Sequence, residues 1–150
     1  MADQIFNIAK GKFAYYAELG QANDALIVVL LKSAGVEADD TLNNYDTLSA
    51  LLAAANDEAD FTNYARKTAA NVTVTVDDTN NRVDVDFDDL VYTNAGGATN
   101  NTIAKLLVCV DLDTTSGTDA NIIPLSHHDM SFTTDGTTQT ITVSNAMRAS

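Results

Sequence analysis

The carboxylates Asp84, Asp86, Asp88 and Asp89 are the densest set of chemically capable groups in this chain. On an extended strand, alternate residues share one face about 7 Å apart, so Asp84, Asp86 and Asp88 could hold a divalent cation or repel one another. A calcium loop also needs a glycine at its sixth position and a glutamate at its twelfth, and both are missing. The plainer expectation is a solvated strand face turned towards Thr73 and Thr75. Asp111, Asp113, Ser116, Gly117 and Asp119 form a second oxygen-rich stretch, but its glycine comes one place late. A turn held by Asx and Ser/Thr hydrogen bonds accounts for those residues without an ion.

Nucleophilic chemistry has less to work with. His127 and His128 are the only histidines, and neighbours on a strand point to opposite faces, so they chelate one ion poorly. Asp129 could orient one of them, but Ser126 beside His127 is adjacency rather than a triad. Cys109 sits among Leu107, Val108 and Val110, where a thiol is expected as buried filler. Gly96-Gly97 lacks the Gly-Lys-Ser/Thr continuation of a phosphate loop and reads as a flexible loop that orders on a partner, with Asn94 beside it. Tyr15 and Tyr16 are adjacent, so only one can turn fully inward and the other is a candidate contact. The residues thus predict no enzyme, no cofactor and no dedicated metal site. The interface candidates are Tyr15, Tyr16, Asn94, Gly96 and Gly97, and the weak metal candidates are Asp84, Asp86 and Asp88.

The elements that position these groups follow from periodicity. Residues 3–19 read as an amphipathic helix capped by Asp3, with Ile5, Ala9, Phe13 and Tyr16 on one face and Gly11 as a weak point. Residues 26–31 form an unbroken apolar run with a β-branched centre, expected as a central strand covered on both faces. An acidic loop over 36–44 leads to a second helix from Asp46 to Asp57, capped by Asp46 and burying Leu48, Leu51, Leu52 and Ala55. Beyond residue 64 the period falls to two. Val72, Val74 and Val76 alternate with threonines, and Val83, Val85 and Phe87 alternate with aspartates, predicting an antiparallel hairpin with one dry face. An interior strand is expected over 103–112, and a short strand over 122–125 that Pro124 confines to an edge or a bulge. Residues 132–134 and 139–143 should close a hairpin across Asp135-Gly136, leaving a flexible tail over 145–150.

The expected fold class is therefore α+β, with two helices in the N-terminal half packed on a mostly antiparallel β-sheet or a small β-sandwich or barrel. Its 150 residues fit one domain: a helix–strand–helix part over 1–64, a β part over 65–144, and the tail. With 8 Lys and Arg against 21 Asp and Glu, the net charge of −13 opposes phosphate backbones and anionic membranes, so neither nucleic acid nor membrane is expected as a partner. The longest apolar run, 25–31, falls far short of the ~20 residues of a bilayer span. A single cysteine forms no internal disulfide. The first four residues lack the basic and apolar parts of a secretion signal, so the sequons at Asn71 and Asn100 are expected to stay unmodified. Thr and Asn make up roughly a fifth of the chain, a bias suited to half-exposed strands and to turns.

Several local patterns resemble a group of small virion proteins of tailed bacteriophages. They are Ala9-Lys10-Gly11-Lys12-Phe13, the apolar strand 27–31, the leucine-rich 48–52, Ala65-Arg66-Lys67 before the Thr/Val/Asp hairpin, Leu106 to Val110 followed by Asp113 to Asp119, Ile123-Pro124-Leu125, and the final Gly-turn hairpin. The chain differs from the group in its acidic stretch 36–44 and in a C-terminus without an aromatic, apolar end. The resemblance implies a capsid decoration (cement) protein that binds the major capsid protein on the outer face of the shell. It would be made in the host cytoplasm and carried on the virion surface. Similar proteins act as homotrimers or as monomers at repeated lattice positions. Within the same biology, a tail-tube or head–tail completion protein is the alternative. From a different class, a calcium-dependent surface adhesin using the Asp84–Asp89 strand is another.

Overall fold

The apolar run at 25–31 needs cover on both sides, and it gets it from two separate cores. The computed structural model describes residues 4–9 and 12–149. In chain order the elements are β1 (Gln4–Ile5), a 3₁₀ turn (Asn7–Ala9), α1 (Phe13–Ala17), β2 (Ala25–Lys32), α2 (Asp39–Leu42), α3 (Leu48–Ala53), β3 (Lys67–Thr68), β4 (Thr73–Asp77), β5 (Arg82–Asp86), β6 (Leu90–Tyr92), β7 (Thr102–Asp111), β8 (Ile122–Thr133), β9 (Gln139–Ile141) and β10 (Met147–Ala149). The main sheet runs β1-β8-β7-β2-β3, a second β10-β5-β4, and a third β6-β9, with every pairing antiparallel. The chain is α+β, as expected, with short helices and a dominant antiparallel sheet.

The two faces of β2 part by residue parity. Leu26, Val28 and Leu30 join Phe13, Phe61, Val85, Tyr92, Leu125 and Met147 in the larger core. Val29 and Leu31 join Phe6, Leu42, Leu48, Leu51 and Cys109 in the smaller one. Thus α2 and α3 cover one face of the main sheet, while α1 and the smaller sheets supply the other core. The predicted two-faced central strand is present, and β7 repeats the pattern with Val108 and Val110 on one side and Leu107 and Cys109 on the other.

Several expectations need correction. The helix over 3–19 is instead a short strand, a 3₁₀ turn and a five-residue helix, because Gln4 and Ile5 pair with His127 and Ser126 and the Phe6 amide donates to the Leu125 carbonyl. Asp3, Lys10 and Gly11 lie outside the described residues. The acidic loop contains α2, and the second helix covers only 48–53. Its cap is Thr47, whose hydroxyl accepts from the Ala50 amide, rather than Asp46, and Ala55 is exposed. The strand expected at 122–125 extends to Thr133. Pro124 does sit at a bulge, where β7 and β8 shift register between Val108 and Cys109.

Two further differences concern the C-terminal third. β9 pairs with β6, a strand not foreseen, instead of closing a hairpin with 132–134. The Asp135-Gly136 turn docks on the 94–97 loop, with the Gly136 amide donating to the Ala95 carbonyl and the Ala95 amide to that of Thr137. The tail is not loose over 147–149, because β10 pairs with β5 and seats Met147 in the larger core at 2% exposure. Truncating that side chain therefore tests the strand: Met147→Ala should lower unfolding stability by about 2–3 kcal/mol in chemical denaturation. A loss near zero would restore the tail to solvent.

Candidate functional site

The bulge in β8 decides where the histidines go. Beyond it, Met130 and Phe132 lie on the larger core, whereas His127 turns to the smaller one beside Phe6. The two imidazoles thus face opposite sides of the sheet, as the strand period requires. His127 is fully buried, 5.5 Å edge-to-face from Phe6, and its Nε2 is 3.2 Å from Asn43 Oδ1. Asn43 Nδ2 donates in turn to Gln4 Oε1. That polarity assigns the Nε2–H tautomer, leaving Nδ1 without a hydrogen-bond partner among the described residues. Burial, reinforced by the Lys105 ammonium and against the pull of Asp39, holds the His127 pKa below its ordinary value.

His128 lines two adjoining hollows, of about 280 and 250 Å³, together with residues 144–146. Its Nε2 lies 3.0 Å from Ser126 Oγ. Sequence adjacency had set Ser126 beside His127, but it is the alternate residue, His128, that it meets. The distance is one a nucleophile and base would share, yet Ser126 is buried, and the contact is what strand period two gives to residues 126 and 128. Asp129 turns to the opposite face, where it pairs across the strands with Lys105. Lys105, its side chain only 4% exposed, also donates to Asp39 of α2 at 2.6 Å. Burial opposes the ammonium, but the hydrogen bonds to Asp129 and Asp39 outweigh it and raise the Lys105 pKa, while the Lys105 bond lowers that of Asp39.

A second polar chain joins distant segments. The Leu30 amide donates to the Tyr64 hydroxyl, and that hydroxyl donates to Glu58 at 2.9 Å. Arg66 then bridges Glu58 and Asp119 with two hydrogen bonds to each. The bonds to Glu58 and Asp119 raise the Arg66 pKa, and the Arg66 bond lowers that of Asp119. Beside this network Tyr92 stacks on Tyr64 with ring centroids 6.1 Å apart, and the Lys67 ammonium sits 5.1 Å above the Tyr92 ring. The Tyr92 hydroxyl is buried and has no hydrogen-bond partner among the described residues.

The acidic strand serves the fold. Asp84 is buried between Arg82 at 2.9 Å and Arg148 at 2.6 Å. Asp86 accepts from the Asn145 amide, Asp88 from Asn71 Nδ2, and Asp89 from the Val143 amide. Asp84 and Asp86 do stand opposite Thr75 and Thr73, but Asp84 is buried rather than solvated. Among the described residues no group of three or more His, Cys, Asp or Glu side chains is placed to hold a metal ion. In the 111–119 turn, Asp113 accepts from the Thr115 amide and hydroxyl and from the Ser116 hydroxyl, which lowers its pKa. Cys109 is fully buried, and burial pushes its thiol pKa up.

The interface candidates divide. Tyr15 is 65% exposed, while Tyr16 is half-buried against the larger core, so one ring turns outward as expected. The 94–97 loop, expected to be flexible, is instead tied in place. Asn94 donates to Thr138 Oγ1, Gly96 to the Thr62 carbonyl, and Gly97 to Asn100 Oδ1. Gly96 is buried at φ +96°, and a Cβ there would strike Asn100 Oδ1 and come within 2.9 Å of Thr134 Oγ1. Its glycine is a packing requirement. No protein-family model, curated protein or solved structure matches this chain.

Two measurements check this geometry. A histidine whose folded pKa is depressed favours the folded state fully above its unfolded pKa, and that stability is lost as pH falls. Thermal stability should therefore drop as pH falls below about 6.5, before the carboxylates titrate near 4, and His127→Gln should flatten that slope. An unchanged slope would mean that His127 charges freely in the fold. Separately, Tyr92→Phe removes a buried hydroxyl that satisfies nothing, so stability should hold or rise by up to about 1 kcal/mol in urea unfolding, and a clear loss would reveal a partner.

Proposed function

We propose that this chain is a structural protein of a tailed-phage virion that decorates the outer face of the capsid by binding the major capsid protein. One observation carries the reading beyond the sequence resemblance: most of the described cations are engaged by the chain's own carboxylates. Of the seven Lys and Arg among the described residues, five (Lys32, Arg66, Arg82, Lys105 and Arg148) are in ion pairs with the chain's own carboxylates, and Lys67 lies over Tyr92. With 21 Asp and Glu in the chain, the charge left for a partner is overwhelmingly negative. Such a surface recognises a basic or neutral protein face and avoids nucleic acid.

The residues that carry the resemblance also meet in space, since Arg66 of Ala65-Arg66-Lys67 bridges to Asp119 at the end of the 113–119 stretch. For docking, Tyr15 at 65% and Leu112 at 40% exposure border one small cleft with Asp24, an apolar pair edged by negative charge. That pair fits an apolar socket on the shell flanked by Lys or Arg.

Quantitative mass spectrometry of purified particles tests the reading. The chain should occur in hundreds of copies, in fixed proportion to the major capsid protein. Tyr15→Ala should lower that occupancy while leaving the melting temperature of the free protein unchanged. Absence from particles, or a copy number of six or twelve at the neck or tail, would overturn decoration, the latter in favour of a tail-tube or completion protein.

A further inference from the structure

We propose that β4 is a self-association edge: two copies pair β4 to β4 in antiparallel register about a two-fold axis at Thr75, joining their three-stranded sheets into one of six strands. This contact does not depend on the capsid reading, and its two-fold symmetry differs from the trimer that the resemblance implies.

Three observations carry it. First, β4 presents an open edge along all five of its residues. It pairs only with β5, and no backbone hydrogen bond outside that pairing involves Thr73–Asp77 among the described residues. The main sheet ends in two-residue strands, β1 and β3, which offer little to a partner. Second, β4 carries few of the devices that keep edges apart, its one charge being Asp77 at the end. Thr-Val-Thr-Val-Asp has no lysine, no proline and no register shift.

Third, the segment is self-complementary. With Thr75 on the axis, Thr75 faces Thr75, Val74 faces Val76, and Thr73 faces Asp77. No two carboxylates oppose each other, and threonine and β-branched pairs are favourable across antiparallel strands. Asp77 is also already held by Arg82 at 3.2 Å and by Asn80. Val76 is 66% exposed, the most exposed large apolar side chain among the described residues. It lines an open hollow of about 360 Å³ with Val83 and Ala149, its neighbours in register across the sheet. Pairing would set Val76 against the second copy's Val74, which aligns with Val85 and Met147 of the larger core. The apolar row would then run unbroken across all six strands.

The opposing force is the charge of −13 on each copy, so association should strengthen with salt. Sedimentation velocity and light scattering on the purified full chain should show a monomer–dimer equilibrium that shifts to dimer as salt rises towards about 0.5 M. Val76→Lys, at an exposed position, should give monomer at every salt concentration with unchanged circular dichroism. Thr75→Cys should form a disulfide-linked dimer under mild oxidation, because residues directly opposite stand about 5 Å apart. Thr73→Cys should not, as its own copy lies four positions away. A chain that stays monomeric in high salt overturns the proposal, as does a dimer that Val76→Lys leaves intact or a crosslink through residue 73 instead of 75. The capsid reading stands or falls separately, on copy number in particles.

Discussion

Everything in this fold depends on burying both faces of one strand pair. β2 and β7 run side by side over nearly their whole lengths, and their side chains alternate between two cores that never merge. A strand apolar on both faces cannot sit at a surface, so the chain must supply cover on each side. One cover comes from Phe6 and the turns around Leu42, Leu48 and Leu51. The other comes from α1, the 59–69 segment and the small sheets. Each covering element is short, and none would be stable alone. The main sheet gives them a surface, and their attachment explains why a chain with little helix still forms helices where it does.

Ion pairs act on this frame as ties between segments far apart in sequence. Lys105 holds α2 to the β7–β8 pair through Asp39 and Asp129, and Arg66 holds the 58–66 segment to the β7–β8 turn. Desolvation offsets much of what such part-buried pairs contribute, so their value lies in specifying which segment docks where. The same logic applies to Asp84. Between Arg82 and Arg148 it fixes β10 against β5, so a residue that looked like a metal ligand instead sets the place of the last strand.

What the sequence made legible was whatever depends on local period. The unbroken run at 26–31 and the antiparallel β4–β5 hairpin read correctly, but Val76, expected on the hairpin's dry face, is 66% exposed because it lies on the open edge strand. The first helix misled because Ile5, Ala9, Phe13 and Tyr16 keep helical spacing, yet the bonds that decide 4–6 come from β8, more than a hundred residues away, and Asn7 bonds to the Asn43 carbonyl. β6 and β10 were missed for the same reason: at three residues each they carry almost no periodic signal, and their partners select them. The site followed suit. Parity predicted that His127 and His128 part, but the bulge that sends His127 to Asn43 depends on register, and Glu58, Arg66 and Asp119 meet only through the fold.

The distribution of charge then limits how copies of this molecule can meet. At physiological ionic strength, repulsion between surface carboxylates fades over about 8 Å, so neighbours held apart by a larger lattice scarcely sense one another. In direct contact the balance changes, because any face rich in aspartate opposes its own image. Aspartate-rich parts of the exterior oppose self-contact in this way, since five of the described cations are already paired with the chain's own carboxylates. β4 is one exception: four of its five residues are threonine and valine, and its one carboxylate is already paired with Arg82. Acidity therefore does more than keep the protein in solution. It disfavours contact between copies through aspartate-rich faces and leaves edges such as β4, where threonine and valine outnumber charge, better suited to it.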